Sequence, residues 1–141
     1  MIDEAFDATQ EQLLRDSQAL ADDMGGRVQL YGLSAPNDAP FPHIIHGESQ
    51  ILPDGDDCRE AYEIYSTLYV WTRDDTNGPA ATMAQAKRIG GLVRTLLDIA
   101  LPIPGFRTVE HRVESTRYMP DGDGLSALGV IEHRYWVEAS A

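Results

Sequence analysis

The residues of this chain that could do chemistry are four histidines, one cysteine, two acidic turns, and a few serines and carboxylates on strands. Zinc demands three or four convergent ligands. His43 and His46 stand three apart on a segment that reads as a strand, so their side chains leave opposite faces. His111 and His133 fall on the two strands of the last hairpin and are candidate cross-strand neighbours. Two histidines without a third ligand make no metal site, and Cys58, in a turn, is placed beside neither pair. The turns Asp54/Asp56/Asp57 and Asp121/Asp123 invite a calcium reading, but a calcium loop spreads its ligands over about twelve residues and ends in a glutamate. Asp and Gly between strands are ordinary turn chemistry. Ser66 and Ser126 lie within strands, with no Gly-x-Ser-x-Gly elbow, phosphate loop or metalloprotease helix anywhere in the sequence. Glu110, Glu114 and Glu132 alternate with Arg112, Arg117 and Arg134, a pattern of cross-strand ion pairs. No catalytic residue, cofactor site or metal site is expected. The chain does not read as an enzyme.

The elements that carry these residues are legible from periodicity. Residues 8–23 are expected to form an amphipathic helix with Leu13, Leu14, Ser17, Leu20, Ala21 and Met24 on one stripe, Asp7 or Thr9 as its cap, and Gly25-Gly26 as its stop. A short strand at 27–31 and a proline-rich loop at 32–42 follow. Pro42 fixes φ and removes a ladder donor, which suits the start of a strand running to Ile51. Residues 59–73 read as a long strand with Tyr62, Ile64, Leu68 and Val70 on one side. Glu63, Tyr65, Thr67, Tyr69, Trp71 and Arg73 occupy the other, too aromatic for plain solvent. A helix over 79–99 presents Met83, Ala86, Ile89, Gly90, Val93, Leu96, Leu97 and Ala100 as one apolar stripe. Gly90 and Gly91 each weaken that helix by ~1 kcal/mol relative to alanine, a cost consistent with close packing on a sheet. Strands at 105–118 and 126–138 close the chain as a hairpin. The fold class expected is α+β: a single domain over residues 1–141, with a mostly antiparallel sheet of four to five strands and two main helices on it.

Composition bounds the function. The chain has 141 residues, 43% hydrophobic and 24% charged, an ordinary globular balance. No apolar run is long enough to span a bilayer, the first residues are acidic, and a lone cysteine fits a reducing compartment. The net charge of −12 opposes nucleic-acid binding. Only residues 79–98 are locally positive, with three bases against one acid. Lys87 and Arg94, seven apart, share nearly one helical bearing, and Arg88 points more outward. That face is a candidate interface between copies, set against the acidic surface of the first helix.

A resemblance joins these elements. Ala39-Pro40-Phe41-Pro42-His43-Ile44-Ile45 resembles the proline-led strand opening of the tail-completion (tail-terminator) proteins of long-tailed phages, prophages and gene transfer agents. The order continues with Val70-Trp71-Thr72-Arg73 closing a strand, an alanine-rich helix from Ala80 to Ala100, Pro104-Gly105-Phe106-Arg107, and Gly129 to Trp136 on the last strand. The likeness runs over residues 8–138. It implies a structural protein that caps the tail tube as a hexameric ring, ends tail polymerisation and offers a docking surface to the head. Implied partners are its own copies, the major tail-tube protein and the head–tail connector, with DNA passing through unbound and no membrane. The implied place is the host cytoplasm during assembly and then the virion tail. A head–tail connector (neck) protein is the alternative, and a small enzyme or ligand-binding domain is a third. Candidate assembly residues are Tyr65, Tyr69, Trp71, Lys87, Arg88 and Arg94.

Overall fold

A computed structural model describes residues 1–140. The elements are α1 (Ile2–Arg15), α2 (Gln18–Asp23), β1 (Leu30–Gly32), β2 (His43–Pro53), β3 (Ala61–Arg73), α3 (Pro79–Leu97), β4 (Phe106–Pro120) and β5 (Ser126–Ala139). The strands form one sheet in the order β1-β2-β3-β5-β4. All neighbours are antiparallel except β1 and β2, which run parallel. The architecture is α+β, with the helices layered on one face of a mixed five-stranded sheet.

The first helix departs from expectation at both ends. It begins at Ile2 because Ile2, Phe6, Gln10 and Leu14 carry the buried stripe backward at four-residue steps. Asp7 and Thr9 are therefore interior and cap nothing; the Thr9 hydroxyl donates to Ala5 O at 2.7 Å. The helix then breaks at Asp16-Ser17. Ser17 accepts from Leu20 N at 3.2 Å and starts α2 as its N-cap. Gly25, at φ +84°, lets Gly26 N–H reach Ala21 O at 2.8 Å and ends α2 as expected.

β1 is displaced from 27–31 to Leu30–Gly32, where it pairs with Ile44 to His46. β3 starts at Ala61, two residues later than expected, because Asp56 and Arg59 close a tight bridge that holds Arg59 in the turn. α3 has Pro79 in its first turn and ends at Leu97, so Ala100, expected on its stripe, is exposed. The Asp98 N–H still bonds Arg94 O at 3.0 Å, but its ψ of +58° turns the chain away. Gly90 has the packing reason anticipated for it: a Cβ there would stand 2.4 Å from the Tyr118 hydroxyl. A Cβ on Gly91 would meet nothing.

The core lies between the helices and the even-numbered side of β3. Phe6, Leu14, Leu20, Ile44, Ile64, Leu68, Val70, Ile89, Val93, Leu97 and Ile131 are fully buried there. Phe6 packs on Tyr135 with ring centroids 5.5 Å apart. The core also carries polar groups, each needing a partner. The Tyr135 hydroxyl donates to Leu97 O at 2.7 Å, and Gln10 Oε1 meets His46 Nε2 at 2.7 Å and the Ser66 hydroxyl at 3.0 Å.

His133 is buried between β5 and α3, its Nε2 3.4 Å from Arg94 O. Burial, first, pushes its imidazole below the ordinary value of 6.5; the Arg94 carbonyl and Asp98 oppose this, while Arg94 and His111 add to it. The unfolded chain then binds the proton more readily than the folded one. Stability is full above pH ~6.5 and falls as pH drops through that value toward the lowered one. His43, also lowered by burial, acts with the same sign. Urea midpoints at pH 7.5 and 5.5 should therefore fall with acid in the parent chain and fall less in His133→Leu. Equal drops in both would contradict this placement.

Candidate functional site

The strand ends and the odd-numbered side of β3 define the one large surface of the sheet that the helices leave open. From β3 come Glu63, Tyr65, Thr67, Tyr69, Trp71 and Arg73, all half-buried. Register places His43 and Ile45 opposite Trp71 and Tyr69, with Leu128 and Val130 on the far side. Met119 and Arg117 of β4 follow beyond them. One end of this face is thus apolar and aromatic. Its half-burial comes from neighbours within the sheet, since the helices pack on the other side.

The middle of the face is charged and internally paired. Arg134, its side chain only 14% exposed, donates from Nε to Glu63 at 2.8 Å and approaches Glu110 at 3.6 Å. Arg117 lies 3.5 Å from Glu132 across the hairpin. Arg134 with Glu110 and Arg117 with Glu132 are cross-strand pairs of the hairpin as expected; Arg134 with Glu63 was not foreseen, and Arg112 pairs along its own strand with Glu114 at 2.8 Å. The Tyr65 hydroxyl donates to Glu63, which lowers the carboxyl pKa together with the Arg134 guanidinium. The Tyr69 hydroxyl donates to Glu48, and that carboxylate, with some burial, pushes the phenol up to about 12. Both tyrosines stay neutral donors at physiological pH. At the other end of the face, Trp136 gives its indole N–H to Asp54 at 2.6 Å, and the Arg59 guanidinium sits 5.1 Å from its ring.

No metal-binding arrangement emerges among the described residues. No three of His, Cys, Asp or Glu come together as a metal site. His43 is buried beside Phe41 and Tyr31, and His46 is held by Gln10 and Glu11. His111 and His133 are not cross-strand partners. The two bulges of β4 set His111 opposite Tyr135 and Val113 opposite His133. His111 instead bonds Asp98 at 2.9 Å. Cys58 is exposed in the bridge turn, its N–H bonded to Asp56. Asp74 accepts from the Asn77 side-chain amide and then from backbone N–H groups of its loop, and Asp123 accepts from the backbone N–H groups of Leu125 and Ser126, which lowers both pKa values.

The six candidate assembly residues fall into two groups. Tyr65, Tyr69 and Trp71 share the open sheet face. Lys87, Arg88 and Arg94 belong to α3 in the opposite layer. Arg88 leans toward α2 and lies 3.4 Å from Asp23, so part of its charge is used within the chain. Lys87 and Arg94 are exposed and lie on the β4 side. Sequence reasoning missed the share of β5 and β4 in the open face. The alternation Leu128, Val130, Glu132, Arg134, Trp136 carried that signal.

The sequence model of the family described as tail completion protein gp17 matches residues 11–138. The chain belongs to that family. Its role is structural, in the completion of a phage-type tail. Two solved structures share the fold. A chain in "Virion of native gene transfer agent (GTA) particle" superposes with a TM-score of 0.78 at 19% identity, over 94% of this chain and 93% of that one. The gp17 protein of bacteriophage SPP1 gives a TM-score of 0.61 at 21% identity, over 94% of this chain and 88% of that one. Comparison with curated proteins finds no match. In this tail completion fold no described helix is long and apolar enough to cross a membrane.

Proposed function

We propose that this chain completes its tail as a ring of identical copies seated on the last layer of the tail tube. The ring stops addition of tube protein and leaves a surface for the head-side connector. The observation that supports this most is the open sheet face, where Trp71 and Tyr69 lie half-covered beside Ile45, Leu128 and Met119, with Tyr65 farther along β3 between Gln50 and Arg134 and no described helix over them. Aromatic residues on a rigid strand are good anchors, with large area and little entropy to lose. We assign this aromatic end to the contact with the tube. Lys87, Arg94 and, in part, Arg88 supply one of the two unlike patches between neighbouring copies that ring closure requires.

The family's structural role, together with turn carboxylates engaged in their own loops, supports a protein with no catalytic step. One tail-completion domain spans residues 1–141, and assembly takes place in the host cytoplasm before the tail joins the head. The net charge of −12 lets DNA pass the ring without adhering. Electron microscopy of purified chain mixed with tubes of its tail protein tests this reading. Rings capping one tube end are expected; a chain that leaves tube ends bare contradicts it.

A further inference from the structure

The two flanks of the helical layer carry opposite charge. α1 lies over β2, where Asp7 and Glu11 stand 3.9 and 3.1 Å from His46. Asp3, Asp7 and Glu11 follow at four-residue steps along that flank, and Glu4 stands exposed seven residues before Glu11. α3 lies toward the other edge, over β5 and β4, where Gly90 meets Tyr118 and Arg94 O meets His133. Lys87 and Arg94 are exposed on that side, seven residues apart. Seven residues span ~10.5 Å of helix, so the two cations and the two glutamates repeat at one spacing. Each pair also keeps one bearing to within ~20°.

Two further observations bear on the same faces. Gly91 lies between Lys87 and Arg94 on the outer side of α3. Gly90 is explained by Tyr118, but a Cβ on Gly91 would meet only open space. Among the described residues nothing accounts for a second glycine in mid-helix, whereas close approach by another backbone would. On the acidic flank Asp7 is pushed above the ordinary carboxylate value, first by burial and then, against His46, by Glu11 and Asp3. Within its own chain that strip meets the His46 imidazole at Asp7 and Glu11, while Arg15 at its end donates to Leu30 O.

Resting on the ring reading above, we propose that α3 of one copy docks through Gly91 against α1 of the next, with Lys87 paired to Glu11 and Arg94 to Glu4. The helices cross antiparallel, as α1 and α3 already run in each subunit. Because donor and acceptor strips lie on opposite flanks, the contact is head-to-tail and propagates around a ring. It weakens as salt rises.

Lys87 is the only lysine of the chain, which makes the test specific. Equal amounts of ¹⁵N-labelled and unlabelled full chain are cross-linked with a zero-length carbodiimide at high concentration and read by mass spectrometry. Hybrid-mass peptides joining Lys87 to Glu11 are expected. Lys87→Glu with Arg94→Glu should weaken self-association at least tenfold by sedimentation, as should Glu4→Lys with Glu11→Lys, and mixing the two variants should restore it. Gly91→Leu should leave the Tm of the lone subunit at or above the parent's yet weaken association at least tenfold. Copies that associate with Lys87 linked elsewhere, or without rescue in the mixture, overturn this pairing and leave the ring standing. A chain that stays monomeric even when co-expressed with its tube protein overturns both.

Discussion

Phe6→Ala is expected to destabilise the subunit by about 3–5 kcal/mol, the range for deleting a large buried aromatic. Phe6 is fully buried and joins α1 to the sheet through the ring of Tyr135. Its neighbours along the stripe, Ile2, Gln10 and Leu14, belong to the same helix and cannot refill the space without moving it. For a chain of this length the loss corresponds to a fall in Tm of roughly 10 °C or more. Val109→Ala, at an exposed position of β4, is the control and should stay within about 0.5 kcal/mol of the parent. Urea denaturation of the three proteins checks this. A Phe6→Ala cost near that of Val109→Ala would mean that α1 is not anchored as described.

Tyr69→Ala combined with Trp71→Ala should have the opposite balance of effects. Both side chains are half-buried on the helix-free face, so their truncation should cost the fold only about 1–2 kcal/mol. Binding to the tube should fall by about 30-fold or more, the loss expected when central aromatic anchors worth at least ~2 kcal/mol are removed. Co-sedimentation of folded variant with tubes of the tail protein measures this. Retained binding would move the tube contact to another surface, while a variant that cannot fold would show these residues to be core.

The parts of the fold that could be read in the sequence are those whose signal is local. The strict alternation of β3 separated Ile64, Leu68 and Val70 from Tyr65, Tyr69 and Trp71 because a strand has period two. The stripe of α3 and the hairpin turn at Pro120 to Gly124 were equally plain, since Pro79, Asp121 and the glycines act within a few residues. What stayed hidden depends on partners distant in sequence. The parallel pairing of β1 with β2 joins three residues across a loop of irregular backbone, with no turn chemistry to announce it. The break at Ser17 is masked because Leu14 and Leu20 continue one apolar pattern on both sides of it. The candidate surface was half legible for the same reason. Tyr65, Tyr69 and Trp71 could be grouped from one strand, but β5 lies beside β3 only through the sheet order, so Leu128, Val130 and Arg134 joined them in space alone. Nor could the sequence foretell that Arg88 would meet Asp23, or that only Gly90 of the glycine pair would be filled from within.

The most direct test of the account is tail length in cells that produce the particle with and without this gene, measured by electron microscopy. Removing the chain should yield tubes longer than normal and unjoined to heads, and supplying it should restore tails of one length joined to heads. Tails of normal length attached to heads in its absence would contradict the claim that this chain ends the tail.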